Sequence, residues 1–274
     1  MALTNLQASI WADKLIMALQ KQLVFGQDAV SNSFYQQDIS ANGKEVHIHS
    51  IANLTVVNYT KYTALTPEQL TDTRQTMPID QQKAFIFDVD DIDDIQTRPD
   101  VVNTATEQAA YQLVESADSY IASLFAGASN LGTVETSTSA NLYARILKAN
   151  TLLNKNNVPR EGRFLVLSPE YEELLLQNAA YQSAATDSVL NGAVGRIAGF
   201  DVLVSNNVVT SGTSPTQRHR VLAGHPMAWT FASQIQKIES VRRHDRFVDT
   251  VKGLYTYGAK VIRPEALVDL AVQI

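Results

Sequence analysis

The chain has 274 residues and a mass of 30.1 kDa, and 45% of its residues are hydrophobic, enough to bury a sizeable core in one large or two modest domains. Its 22 basic and 28 acidic residues leave a net charge of −6, so no overall positive field exists to hold nucleic acid or an anionic membrane. The absence of cysteine excludes disulfides, thiolate zinc sites and cysteine nucleophiles, and no apolar run approaches the roughly 18 residues of a membrane span.

Met1 to Asp13 lacks the basic start and apolar block of a signal peptide, so a soluble, intracellular protein is expected. Charged residues make up only 18%, and Asn, Gln, Ser and Thr fill the deficit. Such a surface suits burial against partners, and it also suits an ordinary neutral surface.

Thr4 with Gln7 forms a capping-box pattern, and Trp11, Leu15, Leu19 and Leu23 follow at steps of four before Gly26, which predicts an opening amphipathic helix. From Lys44 to Tyr62 the sequence is β-like, with Val46 and Ile48 alternating. A turn-rich segment from Thr66 to Asp80 follows, and Lys83 to Val89 places Phe85, Phe87 and Val89 on one face. The two arms predict a hairpin about 40 Å long. Much of its surface is polar, so it is expected either to lie on a neighbouring subunit or to form two ordinary half-buried strands.

Thr97 or Asp100 can cap a helix through Val102, Ala105, Ala109, Leu113, Ala117, Tyr120 and Leu124, a spine about 40 Å long. After a Gly/Ser/Thr loop, a second helix from Ser139 carries Leu142, Ile146, Ala149 and Leu153. Arg163 to Leu167 reads as a short strand, Ser168-Pro169 as the cap of a helix, Ala184 to Leu190 as a further helical piece, and Phe200 to Val204 as a strand. The C-terminal third alternates through Ile238, Val241, Val251 and Tyr257, and Leu267 to Val272 is a final apolar segment.

The search for chemistry finds little. Asp88, Asp90, Asp91, Asp93 and Asp94 could bind a hard cation, but the loop has Asp93 where an EF-hand needs glycine. A solvated turn, or a set of partners for arginine on another subunit, is the expected reading of the cluster. His47 and His49 share a strand face without a third ligand nearby. Gly192, Gly195 and Gly199 fit neither a P-loop nor a dinucleotide fingerprint, and no G-x-S-x-G elbow exists. Arg242, Arg243 and Arg246 form a basic stripe interrupted by Asp245 and Asp249, read here as inter-subunit ion pairs. No catalytic residue, metal ligand or cofactor site is assigned, and the pattern points to a structural or assembly role.

The stretch Ile79-Asp80-Gln81-Gln82-Lys83-Ala84-Phe85-Ile86-Phe87-Asp88-Val89-Asp90-Asp91-Ile92-Asp93-Asp94-Ile95-Gln96 resembles the major capsid proteins of tailed bacteriophages. Two further stretches occur in the family's order: Arg163-Phe164-Leu165-Val166-Leu167-Ser168-Pro169-Glu170-Tyr171, and Gly195-Arg196-Ile197-Ala198-Gly199-Phe200-Asp201-Val202-Leu203-Val204-Ser205-Asn206-Asn207. The resemblance implies an α+β fold of the Hong Kong 97 type. It implies an N-terminal arm over 1–34, an extended loop over 35–96, a peripheral domain over 97–168 and 241–274 with the spine helix, and an axial domain over 169–240.

By the same resemblance, the chain self-assembles through hexamers and pentamers into the icosahedral head of a double-stranded DNA phage. The shell is built in the host cytoplasm with a separate scaffolding protein and a portal, and it makes no sequence-specific contact with the packaged DNA and none with a membrane. The negative charge suits such a container, since a basic lumen would hold the genome too tightly. The assembly contacts expected are Val46, Ile48, Phe85, Phe87, Asp90, Asp91, Arg242 and Arg243. An encapsulin-like compartment shell and a metal-dependent enzyme at the acidic cluster stand as alternatives.

Overall fold

The computed structural model describes residues 24–36, 45–51, 54–62, 64, 67–70, 72–90, 101–128, 130–131, 135–136, 139–178, 195–212 and 217–273. The expected opening helix over Thr4 to Leu23, the helix caps at Thr97 and Asp100, the helical piece at Ala184 to Leu190, and Asp91 lie outside these residues.

Helical periodicity translates directly into buried faces. Helix α1 (Val101–Ser123) runs for 23 residues, about 35 Å, and closes in a 3-10 turn at Leu124–Gly127. It buries Leu113, Ala117 and Ile121. Helix α2 (Ser139–Lys155) buries Leu142, Ile146, Ala149 and Leu153, the expected stripe at steps of three and four. Helix α3 (Pro169–Leu176) starts where expected, with the Ser168 hydroxyl accepting from the Tyr171 N–H and Pro169 in the first turn.

The strands fall into three sheets. The largest holds β4 (Asn130–Leu131), β5 (Glu135–Thr136), β6 (Phe164–Leu167), β7 (Arg196–Ile197), β8 (Phe200–Val204), β9 (Thr210–Ser211), β10 (Arg218–Gly224) and β13 (Leu267–Gln273). Its main path is β4-β13-β10-β6-β8-β7, with β5 on β13 and β9 on β10. β6 is buried at every position, matching its unbroken Phe-Leu-Val-Leu run. β7 turns into β8 through Ala198 (φ 48°) and Gly199 (φ 86°), the left-handed pair of a two-residue hairpin.

β11 (Trp229–Arg242), β12 (Val248–Val261) and β3 (Gln81–Asp90) form an antiparallel three-stranded sheet. Helix α1 packs on it through Tyr120, whose ring meets Tyr257 edge-on at 5.6 Å, and through Ser116, 3.3 Å from the Tyr257 hydroxyl. Phe85 lies over Gly253, where a Cβ would come within 2.4 Å of its ring. The two larger sheets meet at Trp229, stacked on Phe164 at 6.1 Å with Phe25 edge-on at 6.2 Å.

The third sheet corrects the hairpin expected from sequence. β1 (Glu45–Ile51) pairs with β2 (Asp72–Pro78), from Glu45 opposite Pro78 to Ile51 opposite Asp72, and not with the Lys83 to Val89 arm. That arm belongs to β3, bonded to β12. The segment Asp-Thr-Arg-Gln-Thr-Met-Pro reads as turn because Met77 is its one large apolar residue, yet it supplies the ladder that β1 requires. The long strand expected to Tyr62 ends at Ile51, and residues 54–60 have no regular secondary structure and no ladder partners among the described residues.

Candidate assembly surfaces

The ribbon of β1 and β2 has two unlike faces, as strand alternation dictates. Val46, Ile48, Met77 and Ile79 turn inward and pack with Ala232, beside Tyr35 and Ile262. His47, His49 and Arg74 turn outward, with His49 2.8 Å from Asp72 and His47 hydrogen-bonded to Arg74 and, at 3.3 Å, to Thr76. Val46 and Ile48 therefore anchor the ribbon to its own chain, at 7% and 4% exposure. The base is locked at Gly258, where a Cβ would lie 2.3 Å from the Pro78 carbonyl oxygen. Lys260 Nζ donates to the Thr76 carbonyl at 2.7 Å, and Gln75 Nε2 to that of Ile262 at 3.4 Å.

Beyond the ribbon, every described residue from 54 to 70 is exposed. Leu54, Val56, Val57, Tyr59, Tyr62 and Leu70 are all at least 58% exposed, and Val56 reaches 96%. Glu68 braces this tip by accepting from the Thr55 N–H at 2.9 Å and its hydroxyl at 3.3 Å. A braced tip that holds this much apolar surface in water is a candidate interaction surface. The β-like pattern of the sequence predicts strand for Leu54 to Tyr62 and turn for Leu70. The adjacent pair Val56-Val57 carries the signal it missed, because a half-buried strand alternates and this segment is apolar on both sides.

A second surface is the outer face of the three-stranded sheet. Register places Ile86, Lys252 and Glu239 in one row and Asp88, Thr250 and Val241 in the next. Ile86 is 71% exposed and Lys252 pairs with Glu239 at 2.9 Å. At the β11–β12 turn, Phe247 is 77% exposed. Phe85 and Phe87, half-buried and stacked at 6.1 Å, sit on the opposite face.

The arginine stripe finds ion-pair partners within its own chain. Arg243 donates to Asp245 at 3.1 Å and to Asp88 at 3.3 Å, and Arg242 lies 3.6 Å from Asp249. Asp88 also accepts from the Thr250 hydroxyl. These partners are near in the sheet, because β3, β12 and the turn after β11 converge there, although 155 residues separate Asp88 from Arg243. The Asp90 backbone pairs with Val248. Among the described residues no three His, Asp or Glu side chains are grouped as metal ligands.

Two buried polar devices fix the body that carries these surfaces. Arg163 donates to the carbonyls of Pro159 at 2.7 Å and Val158 at 2.6 Å and to the side chains of Asn154 and Asn150, and burial lowers its pKa. Asp118 of α1 is 2% exposed and accepts from the Val24 and Phe25 N–H groups at 2.9 and 2.7 Å and from Asn207 Nδ2 at 3.0 Å. Burial pushes its carboxyl pKa up, against the lowering effect of these hydrogen bonds.

With this geometry in view, the likeness to known proteins is specific. A family model described as phage capsid protein matches residues 74–270. The chain is similar to a solved structure from Mycobacterium phage Che8 with a TM-score of 0.75 and 29% identity, over 92% of this chain and 91% of that one. It shares its fold with the capsid of cyanophage P-SCSP1u, at a TM-score of 0.71 and 16% identity over 88% and 85% of the two chains. The capsid of the native GTA particle matches at a TM-score of 0.65 and 10% identity, over 85% and 86%. No curated protein matches the sequence. The compartment-shell and metal-enzyme alternatives are not favoured. The mixed helix-and-sheet architecture agrees with the Hong Kong 97 type, and the chain belongs to the phage capsid protein family as a major capsid protein of the phage head.

Proposed function

We propose that the chain builds an icosahedral head by laying the hairpin tip, residues 54–70, on an adjacent copy within hexamers and pentamers. The observation that carries this reading is the apolar, exposed and braced tip: Leu54, Val56, Val57, Tyr59, Tyr62 and Leu70 leave most of their surface in water among the described residues. Burying one such side chain contributes about 1.5–3 kcal/mol, and repetition in a closed shell adds many modest contacts. Exposed Ile86, Val241 and Phe247 supply further contact surface.

In this reading residues 1–34 act as an arm, 35–96 as the extended loop, 97–168 with 241–274 as the peripheral domain, and 169–240 as the axial domain. A separate scaffolding protein and a portal take part in assembly in the host cytoplasm. The shell encloses double-stranded DNA without reading its sequence, and the net charge of −6 keeps the genome from sticking to the wall. The role is structural and not enzymatic.

The test replaces residues 54–70 with a short Gly-Ser turn. The β1–β2 ribbon and its Val46, Ile48, Met77, Ile79 cluster remain, so the chain is expected to fold and to stay as single copies or small oligomers in sedimentation and negative-stain microscopy. Normal shells from this variant would overturn the assignment of the tip.

A further inference from the structure

The segment 24–36 crosses the body as a strap with two separate attachments. One is at Trp229 and Thr230: the Trp229 indole N–H donates to the Val30 carbonyl at 2.6 Å, and Asn32 forms a parallel bridge with Thr230. The Thr230 hydroxyl and the Phe231 N–H both donate to the Asn32 carbonyl, at 3.0 and 3.1 Å. The other is Asp118, whose Oδ1 takes the N–H groups of Val24 and Phe25 while Oδ2 takes Asn207. The Asn207 N–H donates in turn to the Ser205 hydroxyl at 3.1 Å, so one carboxylate joins the strap, the helix α1 and the turn after β8.

Nothing in the packing of α1 demands a carboxylate here. The neighbouring buried positions on the helix are Val114, Ala117, Ile121 and Ala122, and a buried acid is unfavourable without specific partners. Among the described residues no cation lies within ion-pair distance of Asp118. Its partners are two main-chain donors of the strap and side chains of the 205–207 turn. A group retained at that cost, and aimed at the end of the strap, acts on the strap.

We propose that Asp118 is a positioning residue for shell assembly, fixing the place at which the strap joins the body so that every copy presents the chain ahead of Val24 from the same point. The proposal rests on the assembly reading above. A shell repeats one geometry in each copy, and without Asp118 the backbone at Val24 and Phe25 would keep only the Phe25 ring, buried edge-on against Trp229, to hold its place.

The test compares the full chain with Asp118→Ala, Asp118→Asn and Asn207→Ala. Amide hydrogen exchange is read before assembly, and particle yield by sedimentation. In Asp118→Ala, exchange over 24–29 is expected to rise at least tenfold while Asn32, β6 and β10 stay protected, and particle yield falls. Asp118→Asn retains an oxygen for both strap amides, and the Asn207 amide can turn to offer its own oxygen, so protection and yield are restored. Asn207→Ala gives a smaller, equally local rise, and it decides the matter if Asp118→Ala does not fold.

Exchange that rises uniformly through the body would show a merely structural role and overturn the proposal. So would unchanged exchange over 24–29, normal yield from Asp118→Ala, or failure of Asp118→Asn to rescue. If the unaltered chain forms no particles under any condition, the assembly reading falls, while the exchange data still report the clamp.

Discussion

Gly258 offers the most direct test of how the hairpin is held. The substitution Gly258→Ala places a Cβ 2.3 Å from the Pro78 carbonyl oxygen and 3.0 Å from the Ile79 Cα. A carbon rests about 3.3 Å from a carbonyl oxygen, so the ribbon must move away by about 1 Å. Both obstructing atoms are main chain, and no rotamer change relieves them. Overpacking of this kind costs about 1–3 kcal/mol. The shift also breaks the Lys260–Thr76 and Gln75–Ile262 hydrogen bonds, at about 1 kcal/mol each. The sum is about 3–5 kcal/mol, which corresponds to roughly a hundredfold to several-thousandfold faster amide exchange in β1 and β2 if the ribbon opens as a unit. Exchange by mass spectrometry on peptides from 45–51 and 72–78, with β10 as internal control, measures it. Protection unchanged within a factor of two would refute the lock at Gly258.

Three other outcomes are expected. Val56→Ser, at a side chain 96% exposed, leaves the melting temperature of the unassembled chain unchanged and raises the concentration needed for particle formation about tenfold, read by light scattering. Trp229→Phe removes the donor to Val30 and leaves a buried carbonyl unpaired, lowering stability by about 1–3 kcal/mol in denaturant titration. His225 caps the 3-10 turn at Pro226–Ala228 by accepting the Met227 N–H on Nδ1 at 3.2 Å, which requires the neutral ring there. Burial lowers its pKa, with the charge of Arg163 acting the same way and a hydrogen bond to the Glu161 backbone opposing. The unfolded chain therefore binds more protons than the folded one just below the ordinary histidine value, so this contribution to stability is lost as pH falls through that window. His225→Asn keeps a capping oxygen and is expected to flatten the slope between about pH 7 and 5, measured by thermal melts.

Local chemistry was legible in the sequence wherever an element is defined by its own residues. Leu142, Ile146, Ala149 and Leu153 specify the buried face of α2 by spacing alone, and Ser168-Pro169 marks the start of α3 because the cap bond spans three residues. The unbroken apolar run of β6 is equally local. Phe85 and Phe87 share a face of β3 because strand alternation requires it.

Strand partnership was not legible, because a ladder is decided by which backbone can supply donors and acceptors at the right distance, and β2 carries almost no apolar signature of its own. The same holds for charge: Asp88 and Arg243 meet only because β3 adds to β12 beside the β11–β12 turn. The candidate surface inverted for a related reason. Val46 and Ile48 looked like contacts for another subunit, and tertiary packing against Ala232 takes them into the chain's own small core. Leu54, Val56 and Tyr62, unremarkable as part of a presumed strand, are left in water past the end of the ladder. Periodicity along one segment determines which face is apolar, while burial depends on what the rest of the chain brings against that face.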